Sequence, residues 1–200
     1  MRSIRTPHWH GREEKYESGD KKISLMAVGV ALFVVLSLCL QVPVFENYYL
    51  CLGYLVMAVY LYSFGTLAGT IVGFLGVVLY CVVISGMRGM PGWSLGNIVI
   101  GVALGLTFRA TRSIPSEILK TGIHCVVIVA STALGILVVK SETEHLMYAQ
   151  PFLIRAGKNL SAFIADSAML IIILPIVRII HSYARKIFPD LCIDNHISET

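Results

Sequence analysis

Charged residues are scarce in this chain. Asp, Glu, Lys and Arg make up 14% of its 200 residues, whereas hydrophobic residues make up 56%. A soluble domain of ordinary composition carries about a quarter charged residues, so the shortfall excludes a surface that faces water on all sides. The formal net charge is +4, but no basic stripe with interleaved aromatic residues is present, which argues against a nucleic-acid partner.

Metal-binding patterns of cysteine and histidine are also missing. None of the five cysteines stands in a CxxC pair, and most lie in or near apolar runs. Neither a zinc site nor a disulfide framework is therefore indicated. His8 and His10 form a pair without a third ligand, so the sequence predicts no metal and no cofactor.

Catalytic signatures are absent as well. The sequence contains no GxSxG elbow, no HExxH motif and no P-loop. His124 stands alone in an apolar run, where packing is more common than reactivity. We therefore expect that the chain is not an enzyme and does not hydrolyse ATP by itself.

Long apolar runs are what the sequence has in place of charge. They are continuous and not alternating, which is typical of membrane helices and not of a β-barrel. We predict an all-α integral membrane protein with six transmembrane helices, at 23–40, 49–64, 67–85, 93–108, 121–139 and 159–180. Gly65 and Thr66 predict a tight turn, and Pro175 predicts a kink in the sixth helix.

The segments around this transmembrane domain, 23–182, are polar. Residues 1–22 do not resemble a cleavable signal peptide, and we expect 1–22 and 183–200 to be cytoplasmic tails. The two tails, the 109–120 linker and the adjoining helix ends carry twelve of the sixteen Lys and Arg residues. By the positive-inside rule both termini are then cytoplasmic, and the loops 41–49, 86–92 and 140–158 face outward.

Small residues recur at four-residue spacing in two predicted helices. Ala27 and Ala31 lie on one face of the first helix, where they predict either a docking face for a partner membrane protein or ordinary internal packing. Gly65, Gly69 and Gly73 repeat in the same way in the third helix. Internal close packing is the favoured use of this glycine face, with an oligomer interface as the alternative.

Asp166 is the polar residue in the least expected place. It lies about seven residues into the sixth predicted helix, roughly 10 Å below its outer end. An acidic group at that depth usually faces a cavity or a partner, so a ligand contact and a structural hydrogen bond are both open. Asn97, Asn159 and Tyr80 are predicted at similar depths and could line the same pocket, although Asn159 could instead cap its helix.

Aromatic and polar residues of the outer loops complete the candidate site. Tyr48, Tyr49 and Trp93 stand at the predicted membrane boundary, where an aromatic belt and a stacking surface for a flat ligand are alternative uses. The polar loop candidates are Glu46, Asn47, Arg88, Glu144, His145, Tyr148 and Gln150.

Three segments resemble a known family. They are YLCLGYLVMAVY at 49–60, FGTLAGTIVGFLG at 64–76 and GWSLGNIVIGVALGL at 92–106. They look like the substrate-binding S component of energy-coupling factor (ECF) transporters, closest to the riboflavin-type branch. The resemblance covers about 23–108 well, and the rest of the chain only through length and hydropathy.

The resemblance implies a small six-helix protein that captures a vitamin outside the cell. Such proteins dock on an ECF module made of a membrane coupling subunit and two ATPases. The family's AxxxA motif, which contacts the coupling subunit, matches Ala27 and Ala31. Carried over by position, the family's ligand site points to Glu46, Asn47, Tyr48, Tyr49, Arg88, Trp93, Asn97, Tyr148, Asn159 and Asp166.

We therefore expect an S component that binds riboflavin or another heterocycle for ATP-driven uptake by its partner subunits. The alternative is a structural or assembly subunit of the membrane without a small-molecule ligand. An intramembrane enzyme is a third hypothesis, disfavoured because no nucleophile and base are paired in the sequence.

Overall fold

The fold is given by a computed structural model, which describes residues 10–39, 42–45, 48–85 and 90–193. Its elements in chain order are α1 His10–Cys39, β1 Val42–Phe45, β2 Tyr48–Leu50, α2 Gly53–Ser63, α3 Thr66–Ser85, α4 Met90–Ala110, a 3₁₀ turn Thr111–Ser113, α5 Glu117–Thr132, a π-helical segment Ala133–Lys140, α6 Ser141–Tyr148, α7 Phe152–Ile172 and α8 Leu174–Ile187. The helical class predicted from the apolar runs is confirmed.

Four stretches of the described chain are long and apolar enough to cross a membrane. They are Gly19–Cys39, Thr66–Ile84, Pro91–Ser113 and Glu117–Tyr148. A fifth crossing results if α7 and α8, which are bent by 48°, count as one span. The six predicted crossings would also require α2, whose 11 residues rise only about 16 Å, so the sixth crossing stays a prediction.

The second predicted helix begins later than expected. Residues 48–50 belong to β2, which pairs antiparallel with β1 in the register Val42↔Leu50 and Pro43↔Tyr49, and α2 starts only at Gly53. Valine, phenylalanine and tyrosine favour strands, a signal that the overall hydropathy of this stretch concealed. The prediction of a helix from residue 49 was therefore wrong.

Four other boundaries differ from the prediction. α1 already begins at His10, within the segment expected to be a tail. α4 begins at Met90, within the expected 86–92 loop, of which 86–89 lie outside the described residues. The helix that starts at Glu117 continues to Tyr148, so the 140–158 loop contains α6 and the start of α7. α8 extends past residue 182 to Ile187.

The predicted kink near Pro175 is confirmed. The helix breaks at Ile173, and Pro175 lies in the first turn of α8. Proline lacks a backbone N–H and clashes with the preceding turn, so it is tolerated only near the start of a helix. The 48° bend follows.

The bundle has two ends, because its long helices alternate in direction. The hairpin end holds β1 and β2, the start of α4, the α6 helix and the start of α7. The tail end holds the α2–α3 turn, the 3₁₀ turn, the start of α5 and α8. Residues far apart in sequence therefore share an end.

Glycines of α3 allow the central helices to pack closely. A Cβ atom at Gly69, Gly73 or Gly76 would lie 2.4 Å from Leu61, Met57 or Phe33 respectively. These contacts confirm internal packing as the use of this glycine face. The turn before it depends on Gly65, whose φ of +100° is strained for other residues. Nine of the eleven residues of α2 are buried, which places this short helix at the centre of the core.

Candidate ligand-binding site

A chain of buried hydrogen bonds joins three helices near the hairpin end. Trp93 Nε1 of α4 donates to the Tyr54 hydroxyl of α2 at 3.0 Å. The Tyr54 hydroxyl donates to Asn97 Oδ1 at 2.9 Å, and Asn97 Nδ2 donates to the Gly73 carbonyl of α3 at 3.1 Å. Tyr54 and Asn97 are fully buried, so this polar group is held inside the bundle.

Asp166 brings a carboxyl group from α7 to the same place. It is 1% exposed and lies close enough to the Tyr54 hydroxyl and to Lys140 to act electrostatically on both. Tyrosine carries a single hydroxyl proton. That proton can serve either Asn97 Oδ1 or the Asp166 carboxyl group at one time, and not both.

A second polar layer surrounds Asn159, nearer the hairpin end. Lys140 Nζ donates to Asn159 Oδ1 at 2.8 Å. Asn159 Nδ2 donates to Ser141 Oγ at 2.9 Å and to Glu144 Oε2 at 3.1 Å. α7 begins at Phe152, two turns before Asn159, so the alternative of a helix cap for Asn159 was wrong.

The second layer also contains ion pairs between Glu144 and two basic residues. Glu144 is buried, its Oε1 lies 4.0 Å from Lys140 Nζ, and its Oε2 lies 3.8 Å from Arg155 Nη1. Asn159 and Asp166 are seven residues apart on α7 and therefore share a helix face about 10 Å apart. Lys140 is hydrogen-bonded to Asn159 in the second layer and lies within electrostatic range of Asp166 in the first.

Glycines bring α4 close to the segment that carries Lys140. A Cβ at Gly96 would lie 2.6 Å from the Gly135 carbonyl oxygen, and one at Gly92 would lie 2.9 Å from the Lys140 carbonyl oxygen. Gly135 lies within the π-helical segment, which ends at Lys140. Such segments are frequent at functional sites, and here one carries a lysine whose side chain is only 16% exposed.

The aromatic candidates differ in their placement. Trp93 is half-buried, and its ring contacts Tyr80 edge to face at 5.7 Å between centroids. Because its indole N–H points to Tyr54, Trp93 is part of the interior and does not act only in an aromatic belt. Tyr148 is 39% exposed, and the Arg155 guanidinium group lies 5.0 Å from its ring centre.

The structure thus brings Trp93, Asn97, Asn159 and Asp166 to the same side of the bundle, towards its hairpin end, with Tyr80 beside them. The predicted depth of Asp166 was wrong, because α7 begins at Phe152 and Asp166 follows that start by 14 residues, about 21 Å. Tyr48 and Tyr49 belong to strand β2, which lies at the same end. The remaining predicted residues, Glu46, Asn47 and Arg88, lie outside the described residues.

Sequence reasoning missed Tyr54 and Lys140 as members of this group. Each nevertheless carried a signal. A tyrosine inside an apolar run needs a partner for its hydroxyl, and a lysine at the end of such a run can turn inward as well as outward. Neither signal names the partner, because the bonded residues lie 39 or more positions away for Tyr54.

The predicted docking residues lie apart from this site. Ala27 and Ala31 are exposed on α1, so they are not used for packing within the described bundle. Their neighbour Gly29 faces inward, where a Cβ would lie 2.6 Å from the Tyr60 ring.

The chain matches a model of a known protein family. The model of the family described as ECF-type riboflavin transporter, S component, matches residues 19–185. The matched region includes every residue of the two polar layers.

Proposed function

Because the chain belongs to the family of ECF-type riboflavin transporter S components, we propose that it captures riboflavin or a similar flat heterocycle at the hairpin end for uptake by partner subunits. The family comprises substrate-binding subunits of transporters and not enzymes. The protein is accordingly a multi-pass protein of the cell membrane, in agreement with its long apolar helices.

The observation that carries this proposal is the buried network of Trp93, Tyr54, Asn97 and Asp166. Ionisable and amide side chains within a membrane protein are costly and usually functional. A heterocycle of the flavin type offers N–H donors, carbonyl acceptors and a flat face. Its N–H groups would donate to Asn97 Oδ1 or to the Asp166 carboxyl group, whichever does not accept the Tyr54 proton. Its flat face would stack on the rings of Trp93 and Tyr80.

Binding would exchange partners within the network. Asp166, Asn97 and Asn159 would supply polar contacts, and Lys140 would hold the two layers together. In a site closed to water a few such contacts are strong, since the local dielectric is low. Tyr48, Tyr49 and Tyr148, at the hairpin end, would cover the ligand. The same role is proposed for Glu46, Asn47 and Arg88 from the resemblance to the family alone.

The orientation belongs to the same proposal. Both termini would be cytoplasmic and the hairpin end would face outward, with α2 and the hairpin together forming the sixth crossing. A cysteine at exposed Gly157, where a Cβ would meet nothing within 4 Å, should react with an impermeant thiol reagent on intact cells. A cysteine at Pro189 should react only after the cells are opened, and the reverse pattern would contradict this orientation.

The ECF module would dock on α1. Within the membrane-spanning part of α1 only 22% of residues are buried, the smallest share of the four long spans. Ala27 and Ala31 leave a shallow surface there, which allows close approach of another helix. A coupling subunit would bind this surface, and two ATPases would supply the energy for uptake.

Flavin fluorescence provides the direct test. When riboflavin is titrated with the purified protein, its fluorescence should be quenched, with an end point at a 1:1 ratio. Riboflavin should also raise the melting temperature of the protein. Related heterocyclic vitamins in the same assay would define the ligand class. Absence of both effects across the whole panel would favour the structural subunit without a ligand.

A further inference from the structure

A cavity of about 910 Å³ lies at the tail end, away from the proposed riboflavin site. It is bounded by the α2–α3 turn, the start of α3, the end of α4 and the 3₁₀ turn. Ile193, in the segment after α8, supplies a further wall. This residue lies outside the matched range 19–185, so that wall is not part of the family match.

One side of the cavity is apolar and open. Leu67, in the first turn of α3, is 74% exposed, and Leu106, near the end of α4, is 55% exposed. Both line the cavity, and both belong to helices long enough to cross a membrane. With these helices spanning the membrane as proposed, the opening would face the lipid, close to where they leave the hydrocarbon.

The polar side of the cavity is positively charged. Arg109, Arg112 and Ser113 line it, and no acidic residue is among the described lining residues. Arg112 donates from Nη1 to the Ile193 carbonyl and from Nη2 to the Tyr62 carbonyl, each at 2.7 Å, and so holds the walls in place. Arg109 is exposed, and its charge has no ion-pair partner within the described part of the chain.

We propose that this cavity binds an anionic phospholipid. The phosphate would lie at Arg109 and Ser113, and an acyl chain would run along Leu67 and Leu106. Basic pockets between transmembrane helices on the cytoplasmic side are suited to anionic headgroups. The choice of leaflet depends on the proposed orientation, whereas the charge and the apolar walls are features of the cavity itself.

Native mass spectrometry of the full-length protein tests this assignment. The protein, released from detergent, is titrated with phosphatidylglycerol and with phosphatidylcholine of the same acyl chains. Phosphatidylglycerol should bind several-fold better. Arg109→Gln should weaken its binding about fivefold, the effect of roughly one basic residue near an anionic headgroup, and should leave phosphatidylcholine unchanged.

Two further variants separate charge from shape. Leu67→Trp should obstruct the apolar wall and weaken both lipids, and it is expected to fold because the side chain is exposed. Lys186→Gln removes a basic residue of the same end that lies outside the cavity, and it should bind phosphatidylglycerol like the wild type. All three variants should still quench riboflavin fluorescence. A failure of the lipid proposal is therefore distinguishable from a failure of the proposed transport function.

Several outcomes would overturn the lipid assignment. Equal binding of the two lipids, or no effect of Arg109→Gln, would exclude a charge-selective lipid site. Displacement of phosphatidylglycerol by millimolar inorganic phosphate would indicate a site for free anions. If Arg109→Gln kept its lipid but no longer co-purified with the coupling subunit, the cavity would belong to a protein partner.

Discussion

Two sets of polar contacts at opposite ends of the bundle differ in the kind of partner that the side chain bonds to. At the hairpin end side chains bond to other side chains, as Trp93, Tyr54 and Asn97 do. At the tail end the contacts that hold the C-terminal segment terminate on main-chain carbonyls, as the two bonds of Arg112 do. Side-chain partners can be exchanged for a ligand, whereas main-chain partners are fixed by the fold. The contrast predicts that removing a side-chain partner at the hairpin end changes mainly affinity, whereas removing a bond to the main chain at the tail end changes mainly stability.

The largest expected effect comes from Gly96→Leu, which would break the hairpin end itself. The new side chain would collide with the Gly135 backbone, since even a Cβ lies 2.6 Å from its carbonyl oxygen. We expect a loss of about 3 kcal/mol, which lowers the melting temperature by about 10 °C, together with loss of riboflavin binding. Gly122→Leu is the matched control, because a Cβ there meets nothing within 4 Å. Equal melting temperatures for the two variants would contradict the close packing.

Asp166→Asn should separate affinity from stability. It keeps the shape of the side chain but removes the charge, and a hydrogen bond to a charged group contributes about 2 kcal/mol. Riboflavin should bind about 30-fold more weakly, with little change in melting temperature. The control is Ser167→Ala, the next residue of α7, whose hydroxyl pairs with Thr132 Oγ1 at 2.6 Å. Unchanged affinity in Asp166→Asn would remove Asp166 from the ligand site.

Arg112→Gln should give the opposite result at the tail end. Two bonds to main-chain carbonyls are lost, which should reduce stability by about 1.5 kcal/mol and the melting temperature by about 5 °C. Riboflavin affinity should stay within about twofold of the wild-type value. Arg109→Gln, three residues earlier, should leave the melting temperature unchanged. A large affinity change in Arg112→Gln would mean that the two ends are coupled.

The smallest and sharpest comparison uses two tyrosines of α2. Tyr54 bonds within the side-chain network, whereas Tyr60 donates to the Leu25 carbonyl at 2.8 Å. Tyr54→Phe should weaken riboflavin binding about fivefold, and Tyr60→Phe should cost about 1 kcal/mol of stability without changing affinity. The two titrations and two melting curves check both parts, and identical effects of the two substitutions would abolish the distinction between the ends.

Hydropathy predicted most of the helices but not their lengths. The predicted ends of α3 and α4 lie within a few residues of the observed ends, because the apolar runs of these helices are long and bordered by turns. α2 was placed too early, since the same apolar composition serves the hairpin and the helix. The continuous helix to Tyr148 could not be predicted, because the polar residues of α6 are satisfied by contacts such as Glu144 with Asn159, which sequence does not display.

The candidate site was predictable in part for a similar reason. Asp166 and Asn97 stand out because polar groups in apolar runs are rare, and both proved buried. Tyr54 and Lys140 did not stand out, because tyrosine and lysine are also usual at membrane boundaries. Only the fold shows that the Tyr54 hydroxyl and the Lys140 ammonium group turn inward.

α2, with 11 residues, is about half as long as the hydrocarbon core of a bilayer is thick, and it is enclosed by α1, α3, α4, α7 and α8. In the proposed orientation the level above it would be occupied by protein and not by fatty acyl chains. A cargo molecule housed at that level would travel inside the outline of the protein whenever the whole subunit tilts or rotates in the bilayer. Its solubility in oil would then be irrelevant to how fast it crosses, and the rate at which the carrier reorients in the bilayer would decide instead.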